Sequence, residues 1–146
     1  MANDPYKTGM FQENPYYAKS DLTGRLAVVL QGRYETRGLK LIAQPSRCIC
    51  KNQVHELIAS DEAGIKPGST VDRIAYVGFV EIEQGGVIIS GDEVLYNDTP
   101  IGRIAGFDET HMPNHYNIVL KVAERRTGVE LNLEPGGRIT IRQVKG

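Results

Sequence analysis

From Arg25 onward, apolar and polar residues alternate in short runs, each closed within a few positions by Gly, Pro, Asn or Asp. A period of two belongs to strands with one buried face, and the closing residues are those that supply turn geometry. The pattern predicts strands near Leu26–Gly32, Leu39–Gln44, Val54–Ala59, Arg73–Glu83, Val87–Ile89, Glu93–Tyr96, Ile101–Phe107, Tyr116–Ala123, Val129–Leu133 and Arg138–Val144. No window sustains a helical stripe. The best helical candidate is a brief turn around Ser60–Gly64.

Three segments share one design: Ile65-Lys-Pro-Gly-Ser-Thr-Val71, Ile88-Ile-Ser-Gly-Asp-Glu-Val94 and Leu133-Glu-Pro-Gly-Gly-Arg-Ile139. Each sets Pro-Gly or Ser-Gly between two apolar residues, the second of them three positions past the glycine. Pro fixes φ at the first corner of a type I or II turn, and Gly supplies positive φ at the second. Such turns reverse the chain and launch the next strand. Gly78 and Gly106, each followed by Phe, fall inside strand patterns and are expected at bends, because an interior glycine otherwise weakens a strand. So many short strands would expose many edges, and closing the sheet hides them. The expected fold is all-β: a small closed or partly open antiparallel β-barrel formed by residues 24–146, preceded by an extended arm at residues 1–23.

The arm is polar and carries Pro5 and Pro15, yet it holds Tyr6, Phe11, Tyr16 and Tyr17. Disordered tails are poor in aromatics, so an ordered arm is expected, packed on a partner subunit or on its own barrel. A chain of 146 residues is enough for one core. Seventeen basic and eighteen acidic residues leave a formal charge of -1 and no basic stripe, which argues against nucleic acid. No apolar run reaches the roughly 20 residues that cross a bilayer, and the first residues lack a signal-peptide core. Free thiols at Cys48 and Cys50, too close to pair comfortably, fit a reducing compartment and a cytoplasmic location.

Polar chemistry is concentrated between Gly106 and Val122, where two of the three histidines sit among Asp108, Glu109, Asn114 and Asn117. Three uses of these residues stay open. Cys48 and Cys50, two apart on one face of a strand, could join His55, His111 and His115 around a metal, for which zinc fits the thiol and imidazole donors. Alternatively, Asp108 or Glu109 orients His111 or His115 as a general base, with Asn114 or Asn117 donating to an oxyanion. In the third use, Asp108 and Thr110 cap a turn, Pro113 steers Met112 out of the helical region, and Asn114 tolerates left-handed φ. No nucleophile or phosphate-binding motif names a reaction. Glu81, Glu83, Asp92 and Glu93 are expected to face solvent, and Arg125-Arg126 either grips an anion or forms a solvated turn.

The Gly-Asp-Glu-Val segment, the run from Ile101 to His111, and Pro113-Asn-His-Tyr-Asn-Ile118 resemble a small, functionally uncharacterised bacterial all-β family over about residues 25–145. In size and in its tyrosine-rich arm the chain is also similar to the small subunit of acetophenone-carboxylase-type, hydantoinase-related enzymes. That likeness implies a non-catalytic β-barrel subunit docking on larger partners or forming a homo-oligomer through its arm. The competing expectation is a small metalloprotein or enzyme centred on Asp108, His111 and His115.

Overall fold

A computed structural model describes residues 19–144. The aromatic arm residues Tyr6, Phe11, Tyr16 and Tyr17 lie outside the described residues. Twelve strands and no helix occur among those described: β1 (Leu22–Val29), β2 (Arg33–Tyr34), β3 (Leu39–Lys40), β4 (Ser46–Ile49), β5 (Val54–Ser60), β6 (Thr70–Val71), β7 (Ile74–Gln84), β8 (Gly86–Ile89), β9 (Glu93–Tyr96), β10 (Thr99–Asp108), β11 (Asn117–Lys121) and β12 (Arg138–Arg142). Among the described residues no helix is long and apolar enough to cross a membrane.

Seven strands form a ring in the order β1, β12, β9, β10, β11, β5, β7 and back to β1, with β2 continuing the β1 side of β7 at Ile74 and Ala75. Six of the seven contacts are antiparallel, while β11 and β5 run parallel. The expectation of a wholly antiparallel sheet is corrected here, and the reason is parity. Strand directions that alternate around a ring require an even number of strands, so a ring of seven must contain at least one parallel contact. It falls between strands separated by a long stretch of chain, where no hairpin dictates direction.

Leu22, Leu26, Leu57, Val80, Ile82, Ile104, Phe107, Ile118 and Ile141 fill the ring, joined by Ile49 and Ile88 from the separate β4–β8 ribbon. A second, smaller core lies outside it. There Leu39, Leu41, Ile65 and Val71, carried by the β3–β6 pair and its flanks, cover Ile58, Ile74, Ala105 and Val119. This explains why β5 is buried at six consecutive positions, from His55 to Ser60, instead of alternating.

The three repeated turns behave as their spacing predicts. Gly68, Gly91 and Gly136 have φ of 89°, 98° and 88°. Each turn closes with a bond across four residues: Ser69 N–H to Lys66 O at 2.9 Å, Asp92 N–H to Ile89 O at 2.9 Å, and Gly137 N–H to Glu134 O at 3.1 Å. All six flanking apolar residues are buried. By contrast, Val129–Leu133 is a turn and not a strand. Thr127 and Glu130 exchange bonds, Glu130 N–H to Thr127 Oγ1 at 3.1 Å and Thr127 N–H to Glu130 Oε1 at 2.9 Å. This Thr-x-x-Glu box coils the chain before it can extend. The strand expected at Leu39–Gln44 shortens to Leu39–Lys40.

Gly78 and Gly106 sit beside register shifts in β7 and β10. A Cβ on Gly78 would lie 2.4 Å from the Val28 carbonyl oxygen across the β1–β7 seam, whereas one on Gly106 would meet only the Leu41 side chain, 3.0 Å away. Backbone cannot yield as a leucine tip can. Gly78→Ala should therefore cost about 3 kcal/mol and Gly106→Ala about 1 kcal/mol, measured by urea unfolding. Equal losses would count against the seam.

Candidate functional site

The registers align one residue from each of four neighbouring strands. Asp108 of β10 faces Asn117 of β11, Asn117 faces Glu56 of β5, and Glu56 faces Phe79 of β7. Two residues along the strands, the equivalent row of Gly106, Val119, Ile58 and Tyr76 lies against the outer apolar core. A polar row thus borders an apolar one on the same face. The loop between β10 and β11 folds back over the polar row, with the His115 ring edge-on to Phe79 at 5.2 Å and stacked with His111 at 5.0 Å.

Asp108, Asn117 and Glu56 are all buried. Asp108 Oδ1 accepts the Thr110 N–H at 3.0 Å and the Asn117 side-chain amide at 3.1 Å, so it anchors the loop's first turn. The loop continues through Met112 N–H to Glu109 O at 3.0 Å and Asn114 N–H to His111 O at 2.9 Å, with a cis bond between Met112 and Pro113. Arg47 bonds Glu109 at 3.4 Å and lies over the Tyr116 ring.

Glu56 is the residue that sequence reasoning missed. Its carboxylate lies 3.5 Å from His115 Nε2, a nitrogen with no hydrogen-bond partner, and Asn117 Oδ1 is likewise buried without one. Burial pushes the Glu56 carboxyl up to about 7, with Arg37 pulling it back. Burial, then the neighbouring His111, holds His115 below the usual imidazole range, while Asn117 pulls it up. Near neutral pH the pair is therefore an acid at its midpoint beside a neutral imidazole, not a fixed ion pair. A lone carboxylate in Val54-His-Glu-Leu-Ile-Ala59, a run whose one other polar residue is His55, was the available signal.

For the metal reading at Cys48, Cys50, His55, His111 and His115, no three His, Cys, Asp or Glu side chains gather as a metal cage among the described residues. His55 is committed elsewhere. Its Nδ1 accepts the Tyr116 N–H at 3.0 Å, and its Nε2 donates to Gln53 Oε1 at 3.0 Å, which fixes the neutral tautomer. Burial, then His115, lowers it to about 4. Gln53 Oε1 also accepts the Cys50 N–H at 3.0 Å. Cys48 and Cys50 are exposed thiols, and Cys48 shares with His55, Val54, Met112 and Pro113 a cleft of about 440 Å³.

Two further expectations are corrected. Asp92 is buried, not solvated, because its carboxylate accepts the Ile89 N–H at 2.9 Å and pairs with Lys19 at 2.8 Å. Arg125 is buried too, its guanidinium bonding the carbonyls of Tyr34 at 2.9 Å and Ile74 at 3.2 Å and the Glu35 carboxylate at 2.8 Å. It pins the β2 edge, its guanidinium turned inward with only the buried Nε unpartnered. Glu83 and Glu93 pair with Arg25 and Arg142, and Glu81 is exposed.

The geometry defines an all-β protein with a seven-strand ring and a buried polar row under a histidine loop. The chain belongs to DUF6917, a family of unknown function whose model matches residues 16–142. No curated protein and no solved structure matches it, so the likeness to the acetophenone-carboxylase-type small subunit gains no support.

A carboxyl raised from 4.5 to about 7 makes the folded state bind a proton that the unfolded chain has released. Its contribution is fully present below pH 4.5 and is lost as pH rises through 7. Glu56→Gln should leave stability nearly unchanged at pH 5 and raise it by about 2 kcal/mol at pH 8. Unfolding curves at the two pH values check this, and an equal shift at both would contradict it.

Proposed function

We propose that this protein is a non-catalytic binding subunit, a small β-barrel that docks on a larger protein partner through the face formed by its β10–β11 loop. The observation that carries this reading is an inversion of polarity. Asp108 and Asn117 are turned inward and His115 half-buried, holding the loop's shape, while Met112 and Val54 are presented to solvent on one cleft. Surfaces with apolar residues on a preorganised scaffold favour protein contact, since little entropy is lost on docking. The arm expected ahead of the ring, which itself begins with β1 at Leu22, would extend the same docking role.

A second reading rests on Glu56 and His115. A carboxyl at about 7 beside an imidazole nitrogen without a partner has the makings of an acid–base pair at neutral pH. It would make the chain a small enzyme.

Native mass measurement of the endogenous protein separates the two. Docking predicts a stable hetero-complex that Val54→Asp with Met112→Asp releases as single chains, with Glu56→Gln leaving the complex intact. Single chains before and after the substitutions would contradict docking.

A further inference from the structure

At the far end of the ring, away from the histidine loop, a cavity opens against the packed core. It measures about 420 Å³ and is lined by Ala59, Val77, Leu120, Leu131, Leu133 and Ile101. Its floor is the core itself: Ala59, Val77 and Leu120, buried residues on the neighbouring strands β5, β7 and β11. A volume of this size with an apolar lining is what small-molecule pockets provide, and the mouths of β-rings are a frequent place for them.

The cavity does not stop at the rim. Pro100, Ile101, Val122 and Ala123 line it and also line a second, outer cavity of about 460 Å³ that includes Arg103, Lys121 and Glu93. Arg103 and Lys121 are cross-strand partners at the last rung of the β10–β11 ladder. Like charges placed directly opposite destabilise a sheet. Among the described residues neither has a carboxylate within ion-pair distance, because the neighbouring Glu93 is held by Arg142 at 3.0 and 2.8 Å. On the inner side of the rim, Arg126 is occupied by Glu124 at 2.9 Å. Arg103, which faces Glu93 across β9–β10, and Lys121 therefore sit without an ion-pair partner on the rim beside a largely apolar cavity.

We propose that this mouth binds a small amphipathic carboxylate, with its aliphatic or aromatic body in the cavity and its carboxylate over the rim on Arg103 and Lys121. This site lies at the opposite strand ends from the docking face and does not depend on it. The apolar body supplies most of the affinity by leaving water, and the head sets orientation and charge preference.

Fluorescence titration of the full chain with 1-anilinonaphthalene-8-sulfonate, followed by displacement with decanoate and with decanol, tests the assignment. Saturable binding of one probe per chain is expected, with decanoate displacing it about fivefold more effectively than decanol, the gain that two exposed charge contacts give. Arg103→Gln with Lys121→Gln should erase that preference and leave decanol unchanged. Ile101→Trp, at the half-exposed rim, should abolish displacement by both, and Val77→Phe, which fills the cavity from its floor, should do the same. Unchanged circular dichroism and thermal midpoint in at least one of these two keep the result interpretable. No saturable binding, equal displacement by decanoate and decanol, or a preference that survives the double substitution would overturn the proposal.

Discussion

Seven strands can close on themselves only if two neighbours run the same way, and most of what is distinctive in this molecule follows from where that contact falls. It lies between β5 and β11, so both strands start at one end of the ring and finish at the other. Glu56 and Asn117, near the two starts, are thereby brought side by side beneath the loop that enters β11. Ala59 and Leu120, near the two finishes, meet at the open mouth. An antiparallel contact would place the start of one strand beside the finish of the other and dissolve both groupings.

Closure itself is made at the β1–β7 seam. Gly24 and Gly78 are both places where an added Cβ would strike backbone of the opposite strand, at 2.5 and 2.4 Å. The seam also carries two register shifts, which let β1 bend enough to reach β12 on its other edge. Outside the ring, the short β3–β6 pair covers the faces of β5 and β11 that would otherwise expose Ile58 and Val119. That cover ends at the polar row, and the histidine loop takes over from it.

Much of this was legible in the chain. Alternation located the long strands, and the three turn segments announced both their positive-φ glycines and the buried residues on either side. Interior glycines marked the bends. What was hidden depended on contacts distant in sequence. Parity could not be read without the strand count, and the partnering of Glu56 with His115 required a pairing between residues that no local pattern links. The loop was found, and its turn-capping use fits Asp108, whose Oδ1 accepts the Thr110 N–H; that Asp108 and Asn117 face each other beneath the loop needed the register. The Thr127–Glu130 box was present in the sequence and outweighed a strand-like composition. Arg125 read as an anion grip or a solvated turn because its backbone-carbonyl partners, Tyr34 and Ile74, are far away in the chain.

Amide hydrogen exchange followed residue by residue tests closure most directly. If the ring is shut, the amides that β1 and β7 share must exchange as slowly as those shared by β5 and β11, all through global unfolding. Fast exchange along the β1–β7 seam, with the remaining ladders still protected, would mean an open sheet and would contradict the account.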